Sequence, residues 1–310
     1  MVNPDFFASL PFFKTFDLPS LETMARYLKP QEHWEGSLVF TEGQEPAEMF
    51  FVRGGRVEVL WEISKNRKVI LASISAGEVF GEMAILMQSR RSATILVVED
   101  LEVLSLSLED FYRILDEHPY TGLCLLKAMG RNLSKKLRSL NQHFLFARSS
   151  LSSLETPAQE SGFGQNNPSP ATIAPHILES LKPYGESVSV ETGKVLIHEG
   201  GIQHDFYLIQ EGLAEVTKSI GNDERILLVH LGPGNLVGEM SFIDADFRSA
   251  EVRAVAPMKI VVFHGSRLRK LAETDKSKLN RIYLSIIRHL CANIKSTNML
   301  YVGTKRKLLP

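Results

Sequence analysis

Between Trp34 and Ser107 the apolar residues come in short bursts separated by turn residues: Leu38-Val39-Phe40, Phe50-Phe51-Val52, Val57 to Leu60, Val69-Ile70-Leu71, Thr94 to Val98 and Leu101 to Leu104. Such runs, rich in β-branched and aromatic side chains and closely spaced, predict the strands of a sandwich or barrel. The rhythm returns at Val195-Leu196-Ile197, Phe206 to Ile209, Ala214-Glu215-Val216, Ile226 to Val229 and Ile260 to Phe263. Gly54-Gly55 and Glu211-Gly212 sit where a hairpin turn is expected between two strands. Beyond each strand region the period changes. Leu126, Gly130, Leu133, Leu137, Leu140 and Phe144 recur at spacings of four and three, a narrow stripe on one long helix. Leu279, Ile282, Tyr283, Ile286, Leu290 and Ile294 form the matching stripe, and Phe6 to Tyr27 reads as a helical lead-in. The predicted fold class is mainly β with flanking helices (α+β). It consists of two β-roll domains, jelly-roll-like double-stranded β-helices, each followed by an amphipathic helix.

The two halves are copies in one register. An offset of 157 maps Gly36 onto Gly193, Glu42-Gly43 onto Glu199-Gly200, Gly55 onto Gly212, Gly77 onto Gly234, Gly81 onto Gly238 and Arg91 onto Arg248. No gap is needed between Gly36 and Ala93. Glycines that recur at fixed positions mark backbone sites needing positive φ or close approach, so chance apolar similarity does not produce this alignment. A period this long is that of a duplicated domain, each copy with its own core, and not of a solenoid. The expected organisation is a first domain at 1–147, with N-terminal helices, a roll at 34–107 and helices at 108–147. A flexible linker follows at 148–175, then a second domain at 176–304 and a basic tail at 305–310. The linker reading rests on Ser149-Ser150, Ser152-Ser153, Gly164 to Asn167 and Pro168-Ser169-Pro170, which are polar and aperiodic.

Bulk properties add little. A net charge of −1 gives no global pull toward nucleic acid or anionic lipid, so partners must be read from sites. The first residues lack the basic and apolar segments of a secretory signal, and no apolar run approaches the ~18 residues of a membrane span. A cytoplasmic location is expected. Cys124 and Cys291, without metal-ligand or redox spacing, read as small apolar residues on helices.

The densest part of the repeat carries the chemistry. Gly81-Glu82-Met83-Ala84 is followed by Arg91-Ser92-Ala93, and Gly238-Glu239-Met240-Ser241 by Arg248-Ser249-Ala250, with the arginine ten residues after the glycine in both copies. A glycine opening a short helix lets backbone N–H groups approach an anion. The arginine offers a planar guanidinium that holds phosphate by charge-assisted hydrogen bonds. An ionised glutamate can only accept, so a sugar hydroxyl is its natural donor. These are the parts needed to hold a phosphate joined to a ribose, and two sets predict a sensor of a small nucleotide. Singly, the glycines also read as turn residues, the glutamates as helix N-terminal carboxylates and the arginines as surface charges. Recurrence in register favours the joint reading.

Gly81 to Leu86 with Arg91-Ser92-Ala93-Thr94 resembles the phosphate-binding cassette of the cyclic nucleotide-binding domain family, and Gly238 to Ile243 with Arg248-Ser249-Ala250 resembles it equally. The resemblance extends to Gly36, Glu42-Gly43, Gly55 and Gly77 with their counterparts, and to the order of roll followed by helices. It implies tandem domains arranged as in protein kinase A regulatory subunits, cAMP or cGMP as ligand, and no metal or other cofactor. It also implies Glu82 and Glu239 on the ribose, Arg91 and Arg248 on the phosphate, and Gly81, Met83, Ala84, Ser92, Ala93, Gly238, Met240, Ser241, Ser249 and Ala250 around the ligand. Two departures stand out. Kinase regulatory subunits carry a proline before the cassette arginine, where this chain has Arg90 and Phe247, and Asp244 and Asp246 bring negative charge near the second site. Ser92 and Ser249 do not choose between cAMP and cGMP, because binders of either have a hydroxyl there. In this family the base is often covered by a residue of the following helix or beyond, which makes Phe144, Phe146 and Tyr301 candidate caps.

The sequence has no lysine-bearing Gly-rich loop for ATP, no kinase catalytic pattern and no helix-turn-helix segment after either roll. Cupin-type metal enzymes share the roll, but His198, His204, His230 and His264 lack the spacing of a ligand set, which leaves a metal-dependent enzyme as the alternative of another class. Arg131, Lys135, Lys136 and Arg138 read as a solvated helix face. The expectation is a non-enzymatic receptor of cyclic mononucleotides that signals to a protein partner by helix rearrangement, without direct nucleic-acid binding. Kinase regulation is the alternative output. The helix stripes serve either packing on the chain's own rolls or a homodimer.

Overall fold

The computed structural model describes residues 2–64, 67–152, 184–221 and 224–308, the side chains at 63–64, 67, 145–152, 220–221 and 305–308 excepted. The chain forms two compact units, Met1–Asn132 and Leu133–Pro310. Of the expected linker, 148–152 continue a helix, and the remainder lies outside the described residues, as do the side chains of the tail.

In the first unit α1 (Asp5–Ala8) and α2 (Leu18–Tyr27) lead into the roll. Asp17 caps α2 by accepting from the Ser20 N–H at 3.1 Å, and the backbone becomes extended at Leu28, two residues before Pro30. Phe12 and Phe13 pack on Phe51 with ring centroids 4.9 and 5.0 Å apart, so the lead-in closes the roll with aromatic area. The strands are β1 (Lys29–His33), β2 (Leu38–Phe40), β3 (Glu48–Ser64), β4 (Arg67–Ser75), β5 (Val79–Phe80) and, after the short helix α3 (Glu82–Met87), β6 (Thr94–Ser107). They order as β1-β6-β3-β4, with β2 on β6 and β5 on β3, all antiparallel. Phe40, Phe50, Phe80, Ile95 and Val97 fill the interior. Ser107, accepting from the Asp110 N–H at 3.0 Å, caps α4 (Leu108–Glu117), and α5 (Pro119–Ser152) follows.

The second unit repeats the plan. Its strands are β7 (Glu186–Val190), β8 (Val195–Ile197), β9 (Phe206–Glu211), β10 (Ala214–Gly221), β11 (Glu224–Leu231) and β12 (Leu236–Val237). The short helix α6 (Glu239–Asp244) leads to β13 (Glu251–Ala254), β14 (Met258–Phe263), α7 (Gly265–Thr274) and α8 (Lys276–Leu308). One sheet orders β11-β10-β13-β8 and the other β12-β9-β14-β7.

The hairpin turns expected at Gly54-Gly55 and Glu211-Gly212 are not formed. β3 runs through Gly54-Gly55 without reversing, and its pairing with β6 shifts register at those residues. The equivalent Gly212 joins β9 in one sheet to β10 in the other. Gly55 and Gly212 have φ of 81° and 89°, and a Cβ would strike the Asp100 and Pro257 carbonyls respectively. The glycine therefore bends a strand across the corner of the roll. Residues of both helical stripes are buried: Leu126, Leu133 and Leu137 on α5, and Leu279, Ile282, Ile286, Leu290 and Ile294 on α8. The later part of α5, from Leu133, belongs to the second unit.

Candidate functional site

Each cassette is delivered by a two-residue strand. β5 pairs Phe80 with Phe50 and Val79 with Phe51, and β12 pairs Leu236 with Leu208 and Val237 with Tyr207. The next residue, Gly81 or Gly238, adopts φ of 76° or 82° and opens the short helix. A Cβ on Gly81 would lie 2.8 Å from Arg91 Nη1, and one on Gly238 would collide with Arg248 Nη1. The glycine is thus required twice over, by its backbone angle and by the guanidinium packed against it. Each helix ends in a left-handed residue that is not glycine: Gln88 at φ 47° and Ala245 at φ 56°. Among the described residues these are the two non-glycine positive-φ positions, and they are equivalent under the offset of 157. Held backbone strain of this kind, on the order of 1 kcal/mol, concentrates at functional loops.

The arginine returns into this frame. Arg91 is 5% exposed and donates from Nη1 to the Gly81 carbonyl at 2.9 Å and from Nη2 to the Glu48 carbonyl at 2.6 Å. Its backbone is clamped as well, its N–H donating to Gln44 O at 2.8 Å and its carbonyl accepting from the Gly43 N–H at 2.9 Å. Arg248 repeats every contact, donating from Nη1 to Gly238 O at 2.7 Å, from Nη2 to Asp205 O, and from its backbone N–H to Gly201 O at 2.9 Å. The Glu42-Gly43 and Glu199-Gly200 segments therefore recur because they pin the arginine. Each guanidinium has five N–H donors, so two carbonyl bonds leave donors for an anion, and the buried Arg91 Nε has no protein acceptor.

Burial lowers both arginines from their ordinary range. Arg91 falls to about 10, with Glu48 and Glu82 opposing the fall, and stays charged at neutral pH. Arg248 falls as well, opposed by Tyr207, Glu239 and Asp205. Glu82 and Glu239 are buried at the first position of their helices. Burial pushes the Glu239 carboxyl up to about 7; a backbone hydrogen bond, Arg248 and Arg138 pull it down, and Asp244 adds to the rise.

In the second unit Gly238, Glu239, Met240, Ser241, Arg248, Ser249 and Ala250, all seven expected residues, line one cavity of about 200 Å³. Val216, Val229 and Ile197 form its apolar side. In the first unit Gly81 and Arg91 are bonded, Glu82, Ala84 and Ala93 are buried, and Met83 and Ser92 are half-buried. Arg90 is exposed and ion-paired with Glu45 at 2.9 Å.

Some residues of the second cavity were not expected at a ligand site. Asn141 and Leu137 of α5 and His289, Asn293, Thr297 and Leu300 of α8 line it. Of the candidate caps, Phe144 lines this second cavity, Leu300 and not Tyr301 does so from α8, and the Phe146 side chain lies outside the described ones. Arg138 is no solvated charge: it pairs with Asp244 at 3.0 Å, and so offsets the negative charge that Asp244 brings to this site. His204 meets the Ser241 carbonyl at 3.0 Å and His264 meets Asp205 at 3.0 Å. Among the described residues no group of three or more His, Cys, Asp and Glu is placed to hold a metal ion, and no helix is long and apolar enough to cross a membrane.

Comparison with known proteins agrees with this geometry. A family model described as the cyclic nucleotide-binding domain matches residues 31–118 and 187–275, the two rolls with their cassettes. The chain is 25% identical over 247 residues to the cAMP-dependent protein kinase regulatory subunit of Blastocladiella emersonii, covering 80% of this chain and 53% of that protein. It is 24% identical over 244 residues to cGMP-dependent protein kinase 2 of Homo sapiens, covering 78% of this chain and 27% of that one. The chain thus spans about half the first relative's length and about a quarter of the second's. Among solved structures, the regulatory domain of Toxoplasma gondii PKA with cAMP matches at 18% identity and a TM-score of 0.33, covering 89% of this chain and 92% of that one.

Proposed function

The chain belongs to the cyclic nucleotide-binding domain family, and from that premise we propose that it is a non-enzymatic receptor of cyclic mononucleotides with two ligand sites. One observation carries the reading: in both units a buried arginine is bonded to the carbonyl of the glycine that opens the cassette, beside a buried glutamate. A nucleotide's cyclic phosphate takes the remaining guanidinium donors and the N–H groups of the tight turn at Gly81 or Gly238. The ribose 2′-hydroxyl donates to Glu82 or Glu239, and the base occupies the apolar side of the roll. Met83, Ala84, Ser92 and Ala93, with Met240, Ser241, Ser249 and Ala250, complete the two pockets. Engagement of the arginine draws the cassette inward and repositions the helix after the roll, α4 or α7. The ligand shifts that equilibrium only by its differential affinity for the two arrangements.

Calorimetry with cAMP, cGMP and their 2′-deoxy analogues tests this on the wild-type chain, Arg91→Ala and Arg248→Ala. Two sites in the wild type, one in each variant and a clear loss for the deoxy compounds are expected. Silence toward both nucleotides would remove the receptor reading. A second reading, regulation of a protein kinase, is favoured by the relatives, which are a kinase regulatory subunit and a cyclic-nucleotide-dependent kinase. Co-purification of a kinase from the source cell, released by cAMP or cGMP, separates it from a free-standing adaptor.

A further inference from the structure

Residues of α5 from Leu133 on belong to the second compact unit, although they precede its roll and lie outside both family-matched stretches. Leu137, Asn141 and Phe144, at spacings of four and three, share one helix face and line the second cavity opposite its roll. Between them in sequence, Arg138 reaches the far end of α6. Its Nη2 and Nε donate to Asp244 Oδ2 at 3.0 and 3.2 Å, and Nε lies 3.9 Å from Asp246 Oδ2. The Asp244 side chain is 7% exposed and that of Arg138 19%. A carboxylate so withdrawn from water needs its counter-charge. Under the offset of 157, Asp244 and Asp246 correspond to Met87 and Ser89, so this charge arrangement is peculiar to the second cassette.

We propose that residues 137–144 of α5 are the outer wall of the second ligand site, latched to its cassette by Arg138, which acts as a positioning residue for the bound phosphate. This rests on the cyclic-nucleotide reading above. Arg138 does two things at once. It fixes the end of α6, whose start carries Glu239, and it cancels carboxylate charge that opposes an anion arriving at Arg248. A ligand behind this wall is released only when the latch opens, so Arg138 and Phe144 govern the dissociation rate. The bound base meets Phe144 and the Asn141 amide, a wall supplied by the helix before the roll.

The test uses the full chain carrying Arg91→Ala, which leaves the second site, with cAMP as probe. Arg138→Gln and Phe144→Ala are each expected to speed cAMP release roughly tenfold. Arg138→Gln should also slow association, because the Asp244 charge is left unpaired; adding Asp244→Asn should recover much of that loss and flatten its salt dependence, which loss of packing alone does not do. A ligand-free arm measures amide hydrogen exchange across residues 239–248 in chains with an intact Arg91, where Arg138→Gln should raise exchange. Binding by the Arg91→Ala chain with release unchanged in both variants overturns the wall and leaves the receptor reading intact. Unchanged exchange overturns the latch. Raised exchange in a chain that binds no nucleotide supports the latch and counts against the receptor reading instead.

Discussion

The two cassettes hold their arginine by equivalent main-chain bonds and differ in the side chains that brace it. Arg91 lies with its guanidinium carbon 3.9 Å from the centre of the Phe40 ring, while the position equivalent to Phe40 is Ile197. The carbonyl that receives Arg91 belongs to Glu48, whose side chain is tied to Gln31 at 2.9 Å, a residue of strand β1. The carbonyl that receives Arg248 belongs to Asp205, whose carboxylate is bonded to His264 and to the Gly265 N–H at the start of α7, both at 3.0 Å. The first arginine is thus braced against the roll and the second against the helix that follows it. Backbone geometry is what anion binding demands, and it stayed constant. The side chains that brace the arginine from outside that frame differ.

The largest expected effect tests the shared part. Arg91→Ala and Arg248→Ala should each weaken their own site roughly 100-fold or more, since each removes charge-assisted bonds to phosphate from a buried setting. Titration should show half the wild-type stoichiometry in either variant. A single substitution that silenced both sites would show that the two arginines do not act separately.

How much of this was legible in the sequence follows the range of the interaction. All ten repeated glycines from Gly36 to Gly238 have positive φ, as their recurrence predicted, because a backbone demand is written in the residue itself. The strand bursts and both helical stripes stand where the apolar period put them. At Gly54-Gly55 the local signal was right about a bend and silent about the partner, which is why a sheet corner read as a hairpin. Gln88 and Ala245 gave no signal, since neither is a turn former and their left-handed angles are imposed by the cassette around them. Arg138 and Asp244 stand 106 residues apart, beyond anything spacing can pair, and so Arg138 read as one more charge on a solvated face.

The next effect sharpens the comparison through pH. Glu239 keeps its proton up to about pH 7 in the folded chain, against 4.5 for an ordinary glutamate. Between those values the folded state holds more protons than the unfolded one, so this group's contribution to stability falls as pH rises across that window. Glu239→Gln removes the penalty. The ligand-free variant should gain on the order of 3 kcal/mol near pH 8 and converge with wild type near pH 4.5, read by thermal melts. It should also bind cAMP more weakly at the second site, because the amide cannot offer an ionised acceptor to the ribose. A variant that melted lower than wild type at high pH would overturn the burial account of this carboxyl.

A smaller change addresses the brace of the first arginine. Phe40→Leu removes the ring under Arg91 and brings the first site closer to the second, where Ile197 stands. A cation over an aromatic face is worth about 0.5–2 kcal/mol, so first-site affinity should fall roughly threefold to tenfold with the second site unmoved. Calorimetry in an Arg248→Ala background reads it directly.

The smallest expected effect concerns the rim, where the sequences differ most visibly. Arg90 and Glu45 form an exposed ion pair at 2.9 Å, and their equivalents Phe247 and Ile202 are both exposed apolar residues. An exposed pair with each side chain more than two-thirds open contributes little, because water and salt screen it and both side chains lose rotamer freedom to form it. The double substitution Glu45→Ile with Arg90→Phe should therefore shift first-site affinity less than twofold at physiological salt. The cassette arginine keeps its carbonyl and backbone clamps in that variant, since those contacts come from Gly81, Glu48, Gln44 and Gly43 main-chain atoms. A shift of tenfold would mean that the rim, and not the interior brace, sets the difference between the sites. It would also point to Arg90 as a residue that meets the phosphate.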